Sequence, residues 1–527
     1  MILNPSRVLK PTALRYAQDT AIVNFERNRR VTFMELREIT NKACNMLFQR
    51  FNLREGSKIA TLVRNDNMSL LYHMSLKSIS TSLWLGIMES LDDHLYQIDH
   101  VKPSLIFIEK DLIEKYYAAL VERKITIVSM DVPETKRDDV YHFWDLISEY
   151  SSDEPDLQFV TDDSKKHMWL LRFTGGTTGR GKCAMYSWSN FMSSGTNISY
   201  TEVFPYSQPK VLLSTPITHA AGAMVIPTYF RGGTLITLNS ADIETFCKAI
   251  ELEGAELIYT VPTVLYRMVD MKLTEKYNLK SLKTIRYGAS PISPAKLEDL
   301  IKQFGKIFIQ GYAATEAWVP GTILAREEHD IKTESGRRKL NSVGRPVPGM
   351  EFKIADESGS EKKIGDKGEI WIRGPHTIQA YYNAAEQTEE AFTKDGFWKS
   401  GDIGYMDAEG FVYLVDRKKD MIVSGGFNIY STEVENCINS HPGVQQSVVV
   451  GVPDENWGET VHAEVILKEG IEICEEDLIE HCKLNMARYK APKSVKFVNS
   501  LPVSAVGKLL RREVRKKYWD KQERMIG

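Results

Sequence analysis

The chain reads as an α/β protein: a large N-terminal domain, a small β-barrel-like portion toward its end, and a smaller α+β C-terminal domain. Three observations predict this. Short β-branched runs alternate with helical segments through the first two thirds of the chain, the pattern of largely parallel, buried sheets. From about residue 341, strands punctuated by Gly and Pro follow one another, as in antiparallel or barrel-like structure. After Asp416-Arg-Lys-Lys-Asp420 the texture tightens into a compact β/α unit of about 110 residues, a plausible domain size. The expected division is 1–416 and 417–527, with 527 residues and 43% hydrophobic content enough for more than one core.

In chain order, Thr32-Phe-Met-Glu35 is a capping box that opens a helix with Leu36, Ile39, Ala43 and Met46 at helical spacing. Lys58–Val63, Ser104–Ile108, Val211–Ser214, Thr234–Leu238, Leu257–Thr260, Thr284–Tyr287 and Lys306–Gln310 read as strands. Ser151–Gln158 is acidic and reads as a surface loop. Ser342–Ile354, Gly368–Gly374 and Gly410–Val415 supply the antiparallel portion. The last unit should run as a helix from Ser431, strands at Ser447–Val450 and Ala463–Leu467, and a helix at Glu475–Met486.

Composition narrows the function. Net charge is −3, and basic residues cluster only in Arg511-Arg512-Glu-Val-Arg515-Lys516-Lys517, read here as a solvated helix face. No nucleic-acid or anionic-membrane surface is indicated. The six cysteines lack C-x-x-C spacing, which argues against a zinc site or a disulfide framework. The N-terminal residues lack a signal-peptide apolar core and no stretch reaches 18 apolar residues, so a cytoplasmic protein is expected.

The chemistry centres on Phe173-Thr-Gly-Gly-Thr-Thr-Gly-Arg-Gly-Lys-Cys183. Hydroxyls on Thr174, Thr177 and Thr178, the flexible Gly175, Gly176, Gly179 and Gly181, and the charge of Lys182 suit a polyphosphate. Gly176 to Lys182 also fits a P-loop spacing, but Cys183 stands where that motif needs Ser or Thr. The following Cys183-Ala-Met-Tyr-Ser-Trp188 alternates like a strand, which points to a hairpin. Further candidates follow predicted strands, where α/β sheets bind ligands. They are Thr215-Pro-Ile-Thr-His219-Ala-Ala-Gly222, Tyr287-Gly288-Ala289-Ser290-Pro291 and Gln310-Gly311-Tyr312-Ala-Ala-Thr315-Glu316. Glu316 offers a hard oxygen for Mg²⁺, and Tyr312 an aromatic face. Asp402 in Trp398-Lys-Ser-Gly-Asp402 is a natural acceptor for a vicinal diol. Gly425 and Gly426 leave room beside the backbone, while Glu433 and Glu435 read as solvated charges of a first helical turn.

Taken together, these segments resemble, in order, the motifs of the adenylate-forming enzymes, in the branch of the acyl-CoA synthetases. The loop resembles T-[SG]-G-T-T-G-x-P-K-G, with Gly181 in place of proline and Cys183 in place of the last glycine. Gln310 to Glu316 resembles Y-G-x-T-E with Ala313 for glycine. Leu501-Pro-Val-Ser-Ala-Val-Gly507-Lys508-Leu-Leu-Arg511 resembles P-x-T-x-x-G-K-[IL]-x-R. The resemblance implies two α/β sheet layers in the large domain and a mobile small one, turning on a hinge near 416–420 at Lys419. It implies ATP, Mg²⁺ and coenzyme A as cofactors and a small carboxylic acid as substrate, in a monomer or homodimer.

On the same footing, Thr174, Thr177, Thr178 and Lys182 would hold phosphates, with Glu316 and Thr174 at the metal. Gly288, Ala289, Ser290, Gln310, Gly311, Tyr312, Thr315, Asp402 and Arg417 would surround the nucleotide. His219 would line the acyl pocket, Gly425 and Gly426 the CoA path, and Lys508 would reach the α-phosphate. A carrier-protein-loading adenylation enzyme, a P-loop NTPase and an inactive nucleotide-binding protein remain as alternatives. The small, neutral pocket candidates favour an apolar acid, fatty or aromatic.

Overall fold

A computed structural model of the chain describes residues 7–157, 167–174, 180–201, 207–240, 242–503 and 509–519. Its strands begin with β1 (Thr20–Asn24), β2 (Arg29–Thr32), β3 (Lys58–Leu62), β4 (Thr81–Trp84) and β5 (Leu105–Ile108). Next come β6 (Thr126–Ser129), β7 (Val140–His142), β8 (Met168–Phe173), β9 (Cys183–Ser187), β10 (Lys210–Leu213) and β11 (Thr234–Thr237). They continue as β12 (Leu257–Thr260), β13 (Thr284–Gly288), β14 (Phe308–Tyr312), β15 (Thr322–Leu324) and β16 (Arg345–Pro346). An antiparallel set follows: β17 (Glu351–Ala355), β18 (Gly368–Arg373), β19 (Trp398–Met406) and β20 (Val412–Arg417). The last are β21 (Ile422–Ser424), β22 (Phe427–Ile429), β23 (Val444–Asp454), β24 (Gly458–Leu467) and β25 (Ser494–Phe497).

Two large sheets carry the fold. One is seven-stranded, β7-β6-β5-β3-β4-β8-β9, and parallel except for the β8–β9 hairpin. The other is nine-stranded, β16-β15-β14-β13-β12-β10-β11-β1-β2, with a parallel centre and antiparallel margins. Between them runs the helix Asn65–Lys77, every residue of which is buried. Its first residue ties the helix to the connections of the nine-stranded sheet, supplying partners that a buried amide requires. Asn65 donates to the carbonyls of Thr215 (3.1 Å) and Leu238 (2.9 Å) and accepts from the Ile217 amide at 2.8 Å. Tyr72 donates to Gly222 O at 2.8 Å. Tyr72, Trp84, Trp169 and Phe191 pack beside it, Trp169 and Phe191 with ring centres 4.1 Å apart.

The barrel-like portion is an open sheet, β17-β18-β19-β20, antiparallel throughout. On one face Ile354, Ile370, Ile372 and Val412 pack with Ile309 and Val343, and on the other Ala355 and Trp371 pack with Phe397. No closed barrel occurs among the described residues. The small C-terminal sheet, β22-β21-β24-β23 with β25 on β24, packs against the helices Ser431–Asn439 and Glu475–Asn485. Its β23–β24 hairpin is longer than the sequence pattern indicates.

Two surface readings are corrected here. Glu435 is buried and Arg511 meets it at 2.5 Å, with Asp420 at 3.7 Å and Asp416 at 3.8 Å. Lys517 pairs with the buried Glu464 at 2.9 Å. Arg511 and Lys517 of the helix Arg511–Trp519 thus neutralise buried carboxylates supplied from far away in sequence, while Arg512 and Lys516 remain exposed as expected. Glu433 is likewise paired, with Lys490 at 2.6 Å. Among the described residues no helix is long and apolar enough to cross a membrane.

Candidate active site

β8 and β9 are antiparallel with Phe173 opposite Cys183, so the loop between them is a hairpin and no helix follows it directly. That removes the P-loop geometry, which opens a helix. The mouth of the loop is closed by the Thr174 amide on Lys182 O (2.8 Å) and the Lys182 amide on Thr174 Oγ1 (3.1 Å). A Cβ at Gly181 would lie 2.2 Å from Thr174 O, so glycine is what permits this closure. Cys183 is buried in an apolar cluster with Leu171 and Phe173, and burial pushes its thiol up to about 12. Gly175, Gly176, Thr177, Thr178 and Gly179 lie outside the described residues, as does Lys508.

Lys182 approaches Tyr381, its Nζ 5.0 Å from the ring centre, and Tyr381 Oη donates to Glu316 Oε1 at 2.8 Å. One tyrosine therefore links the loop lysine to the carboxylate expected at the metal. Burial raises the Glu316 pKa, while the Tyr381 bond and the charges of Lys182 and Arg417 oppose that rise. Tyr186 donates to Thr315 O from β9 and steadies the turn that carries Glu316. Among the described residues no three His, Cys, Asp or Glu side chains cluster as a metal cage. A single hard oxygen fits a magnesium ion that takes its other ligands from phosphates and water.

Tyr312, the last residue of β14, donates to Asp402 Oδ2 at 2.5 Å. Arg417 lies across from Asp402 in the β19–β20 register, with its Nε 3.3 Å from Oδ1. Three sequence-predicted residues from three strands thus meet at one carboxylate. Beside them Gly288 and Gly311 are register partners at the ends of β13 and β14. A Cβ on Gly288 would lie 2.4 Å from Gly311 O, so the two backbones can pass this closely only while residue 288 is glycine. Ala289 turns out of the strand at φ +64°, with Ser290 half-exposed after it. Gln310 differs: it is buried, and its side-chain oxygen accepts from Tyr287 Oη at 3.2 Å in the core.

His219 begins a short 3₁₀ turn after β10, a segment clamped by Asn65 and Tyr72 of the buried helix. Its Nδ1 lies 3.1 Å from Thr218 Oγ1, and burial together with the charge of Arg172 holds its pKa well below the ordinary histidine value. The ring is therefore neutral at pH 7. Lys419 sits in the turn between β20 and β21, with its pKa lowered by burial and by Arg417. Gly425 and Gly426 adopt φ +55° and +81° on the small domain, and a Cβ on Gly425 would meet Trp457 at 2.4 Å.

Tyr381, which joins Lys182 to Glu316, is not legible from the sequence, where it looks like one more position in a turn. A separate charged crevice of about 370 Å³ lies at the carboxyl ends of β3, β5 and β6. Its arginines are committed, Arg27 to Asp131 at 2.7 Å and Arg64 to Asp111 at 2.6 Å, so it is a salt-bridge network apart from this chemistry.

Fold and cleft together define an adenylate-forming enzyme. A profile of the AMP-binding enzyme family matches residues 9–382, and one for the AMP-binding enzyme C-terminal domain matches 433–508. The chain belongs to the AMP-binding enzyme family. It is 34% identical over 453 residues to the medium/long-chain-fatty-acid–CoA ligase FadD8 of Mycobacterium tuberculosis, covering 83% of this chain and 77% of that protein. It is 36% identical over 366 residues to a feruloyl-CoA synthase of Amycolatopsis sp, covering 69% and 72%. Among solved structures, ATP-bound MatB from Rhodopseudomonas palustris superposes with a TM-score of 0.86 at 25% identity, covering 99% of this chain and all of that one.

Proposed function

We propose that this chain is an ATP-dependent acid:CoA ligase acting in the cytoplasm on a fatty or aromatic carboxylic acid. The acid's carboxylate attacks the α-phosphorus of ATP, giving acyl-AMP and pyrophosphate; the thiol of CoA then displaces AMP to give the thioester. The observation that carries this is the paired arrangement at the carboxyl ends of β13 and β14. Asp402 is oriented by Tyr312 and Arg417 on one side, and Glu316 is joined to Lys182 through Tyr381 on the other.

Catalysis here is positioning and charge stabilisation, with no enzyme nucleophile. Asp402 accepts the ribose hydroxyls, Tyr312 gives the base a face, and Gly288, Ala289 and Ser290 with Gly311 border it. Thr174, Thr177, Thr178 and Lys182 hold the leaving phosphates. Glu316, with the Thr174 hydroxyl, would hold Mg²⁺, which would neutralise phosphate charge when bound. Lys508 stabilises the charge that builds at the α-phosphorus. The small domain, 417–527, turns near Lys419 between half-reactions and brings Gly425 and Gly426 to the CoA path.

Lys508→Ala should abolish acid-dependent pyrophosphate release while sparing thioester formation from supplied acyl-AMP; equal loss of both would refute the assignment. Comparing CoA with a carrier protein as acceptor tests the alternative destination of the acyl group.

A further inference from the structure

One buried charge close to the proposed site has no part in the adenylation chemistry. Arg172 lies on β8 and is only 9% exposed. On a strand it shares a face with Thr174, roughly 7 Å deeper into the protein than the phosphate loop. Its guanidinium stands 5.3 Å from the ring centre of Trp318, which packs edge-on against Tyr186 at 5.1 Å. Tyr259 and His219 are its neighbours on the side of the nine-stranded sheet. Two carboxylates feel its charge, but each is engaged elsewhere: Glu89 accepts from Gln97 at 2.7 Å and Glu316 from Tyr381 at 2.8 Å. Among the described residues Arg172 forms no ion pair.

A guanidinium held in an aromatic wall without an ion-pair partner is costly, and it is retained where something else supplies the acceptor. Arginine is suited to that task, because its planar fork binds one or two oxygens in fixed geometry while its face lies on aromatic rings. The phosphates are served by the loop above. On the ligase reading, the ligand left to occupy the depth of Arg172, near His219 and the turn of Glu316, is the acid.

We infer that Arg172 is a specificity-determining residue whose guanidinium binds an acceptor oxygen on the acid's chain or ring. The enzyme thereby selects acids bearing a second oxygen function, such as a hydroxyl, oxo or carboxylate group, over plain hydrocarbon acids. This rests on the ligase reading above and specifies its substrate class.

The test uses matched acids: para-hydroxycinnamate against cinnamate, and dodecanedioate against dodecanoate. Pyrophosphate release is measured for the full-length protein, Arg172→Met and Arg172→Lys. The wild type should prefer the oxygenated member of at least one pair by about tenfold or more in kcat/KM, since a site built for an oxygen rejects the analogue lacking it. Arg172→Met should erase that preference through KM, and Arg172→Lys should restore part of it. No preference in the wild type, or an equal fall for both members of each pair in Arg172→Met, overturns the inference. The equal fall would assign the arginine to the reacting carboxylate.

Tryptophan fluorescence, with Trp318 beside Arg172, gives acid binding without turnover. If no acid yields pyrophosphate yet binding keeps the arginine-dependent preference, the ligase reading fails and the subsite stands. If binding shows no preference, the subsite fails.

Discussion

Tyr312→Phe isolates one hydroxyl at the proposed nucleotide site. The ring and its packing at 6.3 Å against Phe352 remain, and only the bond to Asp402 is lost. A carboxylate offers about four acceptor positions. Tyr312 fills one on Oδ2 and Arg417 faces Oδ1, which leaves about two, one for each hydroxyl of a ribose. The tyrosine therefore orients Asp402 without using up its capacity. Hydrogen bonds to charged groups contribute about 1.5–3 kcal/mol. With roughly 1.4 kcal/mol per tenfold, the Kd for AMP should rise about 10- to 100-fold. Calorimetric titration of AMP into both proteins measures this, and Asp402→Asn should weaken binding further. Unchanged or tighter AMP binding in Tyr312→Phe would refute the reasoning, because it would mean that the hydroxyl competes with the ribose.

Three further outcomes are expected. Arg511→Met leaves the buried Glu435 and Asp416 without their cation, a loss of about 3–5 kcal/mol, read as a lower Tm; adding Glu435→Gln should recover part of it. His329 is buried, hydrogen-bonded to Tyr287 at 3.0 Å, and burial lowers its pKa from 6.5 to about 4. The folded state favours the neutral ring, so this stability is complete above pH 6.5 and is lost as pH falls from 6.5 toward 4. The drop corresponds to about 3 kcal/mol, and His329→Gln should flatten the pH dependence of the urea midpoint in that window. Gly425→Ala forces a side chain into φ +55° and against Trp457, and should slow the CoA step more than pyrophosphate release; equal slowing would remove the CoA assignment.

The parallel core was legible because strands buried on both faces must be apolar and β-branched, as in Leu257–Thr260 and Thr284–Gly288. The Thr32–Glu35 capping box is present with both reciprocal bonds, since local spacing determines local capping. The motif segments fall at strand ends for the same reason. What stayed hidden depends on distance in sequence. β1 joins β11 across more than 200 residues, and nothing in Thr20–Asn24 names its neighbour. Arg511 and Glu435 each looked solvated because neither reveals the other, 76 positions away. Tyr381 gains its meaning only from Glu316 and Lys182. The β23–β24 hairpin was read short because its polar tip, where Asp454 accepts from the Asn456 and Trp457 amides, does not look like a strand end.

Arg511 is also a mechanical part. It follows Lys508 by three positions, grips Glu435 closely inside the small domain, and stands more loosely off Asp416, in the last strand of the large sheet portion, and Asp420, in the turn beyond. A swivel at this turn would stretch the loose link and keep the tight one, so the guanidinium would work as a clutch with one fixed jaw and one that slips.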